Sequence, residues 1–223
     1  MKQILITIFA TFALTSVSYA GSFGLGVTGS MGKVSASGTE TTTAGTVGGG
    51  AANKNSKSVD DISGIASVFL DYEMDNGIVL GFSHVPGSAS VSGKTHKRTE
   101  TAQGVEGTDA TGSVTRTADA EVENLNTLYV EYPMGVYFAK LGFSQIDVNT
   151  KENKITGSGS YGVETLDGYT LGLGVNGSIG EFFTKTSVEY TDFDDLSIKS
   201  TTGNTITGDL DILEFKIALG KRF

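Results

Sequence analysis

The sequence predicts an all-β protein, an eight-stranded antiparallel up-and-down transmembrane β-barrel. Eight segments alternate apolar residues with polar or small ones, which indicates strands with two different faces. Short turns alternate with long polar connections, as is usual in transmembrane barrels. On the apolar faces, aromatic residues gather at the two strand ends and aliphatic residues lie between them. That distribution is typical of a surface that faces lipid.

The composition narrows the possible function classes. The chain has 223 residues, including 31 Gly and no Cys, with a formal net charge of −9 and a mean hydropathy of −0.02. The absence of Cys excludes disulfide scaffolds, Cys zinc sites and thiol catalysis. The acidic balance argues against a nucleic-acid partner, because phosphate binding needs clustered Lys and Arg. We expect no cofactor.

Residues 1–20 have the features of a secretory signal peptide. Lys2 supplies the positive start, residues 4–14 form the apolar core, and Ser18-Tyr19-Ala20 is a cleavage site. The apolar run is shorter than the ~20 residues of a membrane-spanning helix. We therefore expect one mature domain, residues 21–223, that is periplasmic, secreted or a membrane-spanning barrel.

Four strands are predicted in the first half of the chain, at residues 22–34, 62–74, 78–85 and 120–132. Their apolar faces consist of Phe23, Leu25, Val27 and Met31, then Ala66, Val68, Leu70, Tyr72 and Met74, then Ile78, Leu80 and Phe82, and last Leu128, Val130 and Tyr132. The opposite faces are rich in Gly, Ser, Thr and acidic residues. One side of each strand therefore suits lipid and the other suits a polar lumen.

The second half contains the other four strands, at residues 137–148, 166–177, 182–191 and 209–223. Their apolar faces consist of Tyr137, Ala139, Leu141 and Phe143, then Tyr169, Leu171, Leu173 and Val175, then Phe182, Val188 and Tyr190, and last Leu213, Phe215, Ile217, Leu219 and Phe223. The same alternation with period two therefore runs through the whole mature chain.

The connections differ in length. Short turns are predicted at residues 75–77, 133–136 and 178–179, and long loops at residues 35–61, 86–119, 149–165 and 192–208. Pairing of Met74 with Ile78 makes the first turn a three-residue hairpin loop with Gly77 in the left-handed conformation. Residues 88–94 and 114–123 also alternate partly, which predicts that the third and fourth strands continue beyond the bilayer as a hairpin.

The outward aromatic residues predict two girdles at the membrane interfaces. The girdle on the side of the short turns and the termini contains Phe23, Tyr72, Tyr132, Tyr137, Phe182 and Phe223, and the other girdle contains Phe143, Tyr169, Tyr190 and Phe215.

Nine charged residues share the inward parity: Asp71, Glu73, Glu131, Lys140, Lys185, Glu189, Glu214, Lys216 and Arg222. The interior of an eight-stranded barrel is just wide enough for side chains to fill. We therefore expect an ion-pair network that closes the lumen. If Tyr132 pairs with Tyr137, Glu131 lies diagonally from Lys140 and within its reach. The alternative is a narrow polar channel or a proton-coupled gate.

The chain ends on Phe215-Lys216-Ile217-Ala218-Leu219-Gly220-Lys221-Arg222-Phe223. With the signal peptide and the eight-strand spacing, this ending resembles the small bacterial outer-membrane β-barrels of the porin family, the relatives of the OmpA membrane domain, OmpX and the neisserial opacity proteins. Lys221 departs from the pattern, which usually has an apolar or aromatic residue there.

The resemblance implies an integral protein of the bacterial outer membrane with periplasmic termini. Its partners would be outer-membrane lipid and lipopolysaccharide, together with periplasmic chaperones and the barrel assembly machinery. Phe215, Ile217, Leu219 and Phe223 would form the assembly signal. We expect a monomer and no nucleic-acid partner.

Two sets of charged residues in the predicted loops are candidate binding sites. Lys94, Lys97, Arg98 and Arg116 are placed to contact lipopolysaccharide phosphates. Asp192, Asp194, Asp195, Asp209 and Asp211 offer oxygen ligands for Ca²⁺, but no known loop template matches their spacing, so we predict no metal site.

No catalytic residues are predicted. Ser83 and His84 are adjacent on a strand and therefore face opposite sides, so they do not form a dyad. Two matches to the dinucleotide-binding pattern, at residues 24–29 and 172–177, lie inside strands without a following helix, which indicates Gly facing a crowded lumen. 

The expected function is structural and surface-interacting rather than enzymatic. The barrel would support membrane integrity, and its long loops would serve adhesion, defence or binding of an extracellular ligand. The alternatives are a small porin-like channel for ions or small solutes and, third, a lipid-modifying outer-membrane enzyme.

Overall fold

The structure is a computed structural model that describes residues 21–41, 54–90, 96–101, 113–152, 161–201 and 203–223. The predicted signal peptide, residues 1–20, lies outside the described residues. Within this described part, no helix is long and apolar enough to cross a membrane.

All regular structure in the described ranges is β-strand. The strands are β1 (Ser22–Thr41), β2 (Lys54–Glu73), β3 (Val79–His84), β4 (Ser88–Ser90), β5 (His96–Thr101), β6 (Ser113–Met134), β7 (Tyr137–Glu152), β8 (Val163–Ile179), β9 (Phe182–Phe193), β10 (Leu196–Lys199) and β11 (Thr205–Arg222).

These strands form one antiparallel sheet that closes on itself. The hydrogen-bonded path runs through nine strands in the order β1-β2-β3-β6-β7-β8-β9-β11-β10, and β11 also pairs with β1. β10 continues the position of β9 along β11, while β4 and β5 continue the position of β3 along β6. The strands therefore occupy eight positions around a ring, which confirms the predicted up-and-down barrel.

The seam between the first and last strands is continuous. Its register runs from Gly24 opposite Arg222 to Thr41 opposite Thr205. At the end near the termini, Phe23 and Phe223 exchange two backbone hydrogen bonds, with N···O distances of 3.2 and 2.8 Å. Because of this seam, neither terminal strand leaves a free edge.

Several strands are longer than predicted. β1 and β2 stay paired up to Thr41 and Lys54, so much of the predicted loop at residues 35–61 is a polar β-ladder. Its Ser, Thr and Val content favours extended backbone, although the outward face has lost the apolar residues used to recognise the strand. β4 and β5 both pair with β6, which confirms the predicted extension of the third and fourth strands.

The first short turn has the predicted geometry. The N–H of Gly77 donates to the Met74 carbonyl at 2.8 Å, and the N–H of Met74 donates to the Ile78 carbonyl at 2.9 Å. Gly77 adopts φ +79°, which confirms a three-residue loop with Gly in the left-handed region.

The second turn is tighter than predicted. Met134 pairs with Tyr137, so only Gly135 and Val136 form the loop, and Gly135 adopts φ +72°. Gly at the first of two loop positions is the preference of a type II′ hairpin turn. Tyr132 therefore pairs with Ala139, not with Tyr137, and Glu131 lies directly opposite Lys140.

Large apolar side chains form a belt on the outside of the ring. Along β8, Tyr169 is 65%, Leu171 60% and Leu173 65% exposed. All ten residues of the predicted girdles lie on this outer face. Tyr72 and Phe143 are only half-buried there because they pack against Phe23 and Tyr169, with ring centroids 4.9 and 5.9 Å apart.

Candidate functional site

The nine inward charged residues predicted from the sequence all lie inside the barrel, and we call them the lumen charge cluster. The set contains five carboxylates and four cations: Asp71, Glu73, Glu131, Glu189 and Glu214, with Lys140, Lys185, Lys216 and Arg222. Each member takes part in at least one ion pair. The charges of the cluster therefore nearly cancel, as the burial of most of its members requires.

Asp71 and Lys185 lie at the centre of the half of the cluster nearest the termini. Lys185 Nζ donates to Asp71 Oδ2 at 2.9 Å and to Glu131 Oε2 at 2.6 Å. Arg222 donates to Asp71 Oδ1 at 2.8 Å and pairs with Glu73 at 2.6 Å. Asp71 has no exposed surface, and both of its oxygens accept from cations.

Glu189 lies at the centre of the other half. Lys140 Nζ donates to both of its carboxylate oxygens, at 2.9 and 3.0 Å, and Ser187 Oγ donates to Oε1 at 3.0 Å. Lys216 lies 3.2 Å from Glu189 and 2.8 Å from Glu214. Glu131 and Lys140 lie opposite each other in register but are not ion-paired with each other, because both side chains point towards the axis and find partners on strands farther around the ring.

Two glycines make these ion pairs possible. Gly172 of β8 lies in register between Lys140 of β7 and Glu189 of β9, and a Cβ at Gly172 would come within 2.9 Å of Glu189. Gly24 of β1 lies in the same way between Asp71 and Arg222, and a Cβ there would overlap the Asp71 carboxylate. In both cases the missing side chain lets partners two strands apart meet. Gly24 and Gly172 are the first glycines of the two matches to the dinucleotide-binding pattern.

A layer of hydroxyl groups lies next to the lumen charge cluster. Thr127, Ser144, Thr170 and Thr191 are all buried and link four neighbouring strands through side-chain hydrogen bonds of 2.7 to 2.8 Å. Between the two halves of the charge cluster, the lumen retains a cavity of about 30 Å³. That volume holds about one or two water molecules.

An apolar cap, which the sequence reasoning missed, fills the lumen beyond the hydroxyl layer. It consists of Val34, Val122, Leu125, Ile146, Val148, Leu166, Phe193, Leu210 and Ile212. Most of these residues continue the inward parity of their strands. In the sequence, the inward positions of these strands change from polar to apolar residues, and this change could have predicted the cap.

A β-bulge in β6 completes the apolar cap. Register shifts between Glu123 and Asn126, and Asn124 adopts φ +57° while its Nδ2 donates to Asp147 at 3.0 Å. The extra residue reverses the parity of β6, so that Leu125 on one side of the bulge and Val122 on the other both point inward.

The other candidate residues are not assembled into a site. Ser83 lines the lumen cavity, whereas His84 is hydrogen-bonded to Asn126 at 2.9 Å. Among the residues that the structure describes, no three acidic or His side chains are placed to hold a metal ion, and this includes the Asp192–Asp211 region. Lys94 lies outside the described residues. Lys97, Arg98 and Arg116 lie on β5 and β6, with Arg98 opposite Arg116 in the backbone register.

The residues of the expected assembly signal lie at the seam. Phe215, Ile217 and Leu219 are exposed on the outer face of β11, and Phe223 follows that strand. Lys221 pairs with Glu181 at 2.8 Å on the surface, near the end of the barrel that holds the termini.

Comparison with known proteins gives structural similarity only. No protein-family model and no curated protein matches the chain. Ail, the attachment invasion locus protein of Yersinia pestis, is 13% identical with a TM-score of 0.45 over 91% of this chain and 97% of Ail. The neisserial surface protein A is 8% identical, with a TM-score of 0.39 over 92% of this chain and 99% of that protein. The outer-membrane protease OmpT of Escherichia coli is 9% identical, with a TM-score of 0.42 over 94% of this chain and all of OmpT (100%).

Replacing Lys185, the central cation of the lumen charge cluster, tests how strongly the stability of the barrel depends on ion pairing in the cluster. We expect Lys185→Met to lower the free energy of unfolding by about 3–5 kcal/mol, because Glu131 is left buried without a cation. The control is Lys221→Met, which breaks the exposed pair with Glu181 and should cost no more than about 1 kcal/mol. Urea titration of the two purified variants measures both values. Equal losses would show that Lys185 is not buried in an ion-pair network.

Proposed function

We propose that the chain is an integral barrel of a bacterial outer membrane with a closed lumen and a structural, surface-interacting role. The observation that carries the proposal is the inverted arrangement of the side chains. Large apolar residues are exposed around the outside, whereas charged residues are buried inside. In water, a contiguous apolar belt of this kind would drive association, and monomeric soluble proteins rarely expose one.

The closed ring supports a location in lipid. Hydrocarbon offers no partner to backbone N–H and C=O groups, so a spanning sheet must pair all of its edges. In this chain the β1–β11 seam pairs the edges of the first and last strands along the whole height of the belt, and β2 loses its second partner strand only beyond Val68, towards the outer girdle. The girdle residues would then lie at the two membrane–water boundaries, where aromatic side chains are favoured.

The contents of the lumen favour a structural barrel over a channel. The lumen charge cluster, the hydroxyl layer and the apolar cap follow one another along the axis, and the cavity left in the charged region is about 30 Å³. A hydrated ion crossing this interior would have to break buried ion pairs and then pass a dry apolar layer. We propose no enzymatic activity for the chain.

The polar extension of the sheet suits a role at the cell surface. The outward apolar residues of β1 and β2 end at Met31 and Ile62, yet the two strands stay paired to Thr41 and Lys54. Ten further residues of strand correspond to about 30 Å of polar ladder. Just beyond the belt, a hydrogen bond from Lys33 holds the pKa of Asp60 below its ordinary value. We propose that this end is extracellular and that the termini are periplasmic.

The partners follow from the proposed location. Outer-membrane lipid and lipopolysaccharide would surround the belt, and an extracellular ligand would meet the polar extension. Periplasmic chaperones and the barrel assembly machinery would deliver the chain through its last strand. We propose that it acts as a monomer.

A charge placed in the middle of the belt tests the membrane location. We expect Leu171→Arg to cost about 2–4 kcal/mol when the barrel is unfolded from lipid vesicles, because the guanidinium must enter hydrocarbon. The matched control is Val163→Arg, on the same outward face of β8 but beyond the aromatic girdle, where the cost should be near zero. If Leu171→Arg is neutral and the protein remains in the soluble fraction, the belt faces water and the proposal is wrong.

Conductance tests the closed lumen. The purified protein in a planar bilayer should produce no stable conductance steps, because the described interior offers no continuous water path. The control is the empty bilayer with the same detergent, and a difference in gel migration between unboiled and boiled samples verifies that the protein is folded. Reproducible single-channel steps would contradict the closed lumen and would favour the small-channel alternative.

A further inference from the structure

In the described part of the chain, β2 lacks a neighbouring strand along part of one edge, and we call this gap the break. β3 pairs with β2 only from Val68 to Glu73. After His84 the chain follows β6 instead, since the N–H of Val85 donates to the Leu125 carbonyl at 2.9 Å and β4 pairs with β6. In the described ranges, no strand pairs with this edge of β2 at residues 58–67, although β1 pairs with the other edge throughout.

A cavity of about 120 Å³ occupies the break. Gly64, Ile65 and Ala66 line it on the side of β2, and Val85 and Pro86 line it on the side of β3. Its inner wall is the apolar cap, including the buried Ile146 and Ile212. Ser63, Ser88, Glu123 and Asn124 also line the cavity, so a mainly apolar passage leads from the barrel wall to the apolar cap.

The mouth of the cavity is continuous with the apolar belt. Gly64 and Ala66 are exposed on the outer face of β2, next to the exposed Ile62 and Met31. A Cβ at Gly64 would meet nothing within 4 Å, so the backbone there leaves the entrance open. Under the proposed function, on which this inference rests, the belt faces hydrocarbon. Gly64 lies opposite Met31, which pairs with the girdle residue Phe215, so lipid chains reach the entrance at the level of the outer girdle.

We propose that this break is a binding site for a single uncharged hydrocarbon chain, whose end enters between β2 and β3 and packs against the apolar cap. The volume is close to that of a dry apolar protein cavity of about 150 Å³ that binds benzene, so it suits a chain end and not a whole lipid. Glu123 also lines the cavity, and its carboxylate would repel an anionic group brought close to it. A neutral long-chain alcohol is therefore the preferred class of ligand.

Photolabelling in lipid vesicles tests the site. The full-length mature barrel in phosphatidylcholine vesicles is irradiated with a long-chain alcohol that carries a diazirine at its chain end, and the labelled residues are mapped by mass spectrometry. We expect saturable labelling at Ile65, Val85 or Ile146 that excess unlabelled alcohol removes. The belt around Leu171 should show weak labelling that does not saturate.

A substitution at the entrance makes the test specific. Gly64→Leu should reduce labelling of the site by about tenfold or more, the loss expected when two methylene groups are excluded. Val175→Leu is the matched control, because Val175 is also exposed on the outer face but lies on β8, away from the break. That variant should label like the parent. If Gly64→Leu does not fold, competition between the labelled and the unlabelled alcohol on the unsubstituted protein decides whether the site exists.

The possible outcomes separate this inference from the proposed function. Labelling of the belt without saturable labelling at the break overturns the binding site and leaves the membrane barrel intact. No labelling of either region overturns both. Equal labelling by the corresponding diazirine fatty acid anion overturns the preference for a neutral chain.

Discussion

The hydrogen-bonded seam between β1 and β11 is the constraint on which the rest of the structure depends. Once the sheet closes, every strand has one face towards the axis and one towards the surroundings, and period-two alternation becomes an inside and an outside. Closure also removes the free edges of the first and last strands. The exposed belt and the buried charges are then two consequences of one topology.

The narrow interior determines which residues are compatible with that topology. Charged side chains are buried at acceptable cost only if they meet partners, and two pairs meet across an intervening strand because Gly24 and Gly172 have no side chain. The gradient from charges to hydroxyls to the apolar cap then leaves little room for water. Glycine-rich strands, which in a soluble sheet would weaken packing, here allow a small ring to enclose long charged side chains.

The architecture was largely predictable from the sequence, because alternation depends on neighbouring residues of one strand. The outward faces, the eight positions and the turn at Gly77 follow from such local patterns. The pairing of Glu131 was not predictable, because it depends on a turn two residues shorter than assumed and on contacts across the lumen. The apolar cap was missed because part of it depends on the bulge at Asn124, which reverses the parity of β6 without any break in the strand. The polar ladder beyond Met31 was missed because its outward face carries no apolar signal.

The most direct test of the account is a register-specific disulfide across the seam. The chain has no Cys of its own, so a Val27→Cys, Leu219→Cys pair reports only this contact, and paired residues of antiparallel strands lie within disulfide range. The account predicts that this pair oxidises in intact membranes, whereas Val27→Cys with Phe215→Cys, which is out of register, does not. Failure of the in-register pair to form, or equal oxidation of both pairs, would contradict the closed barrel.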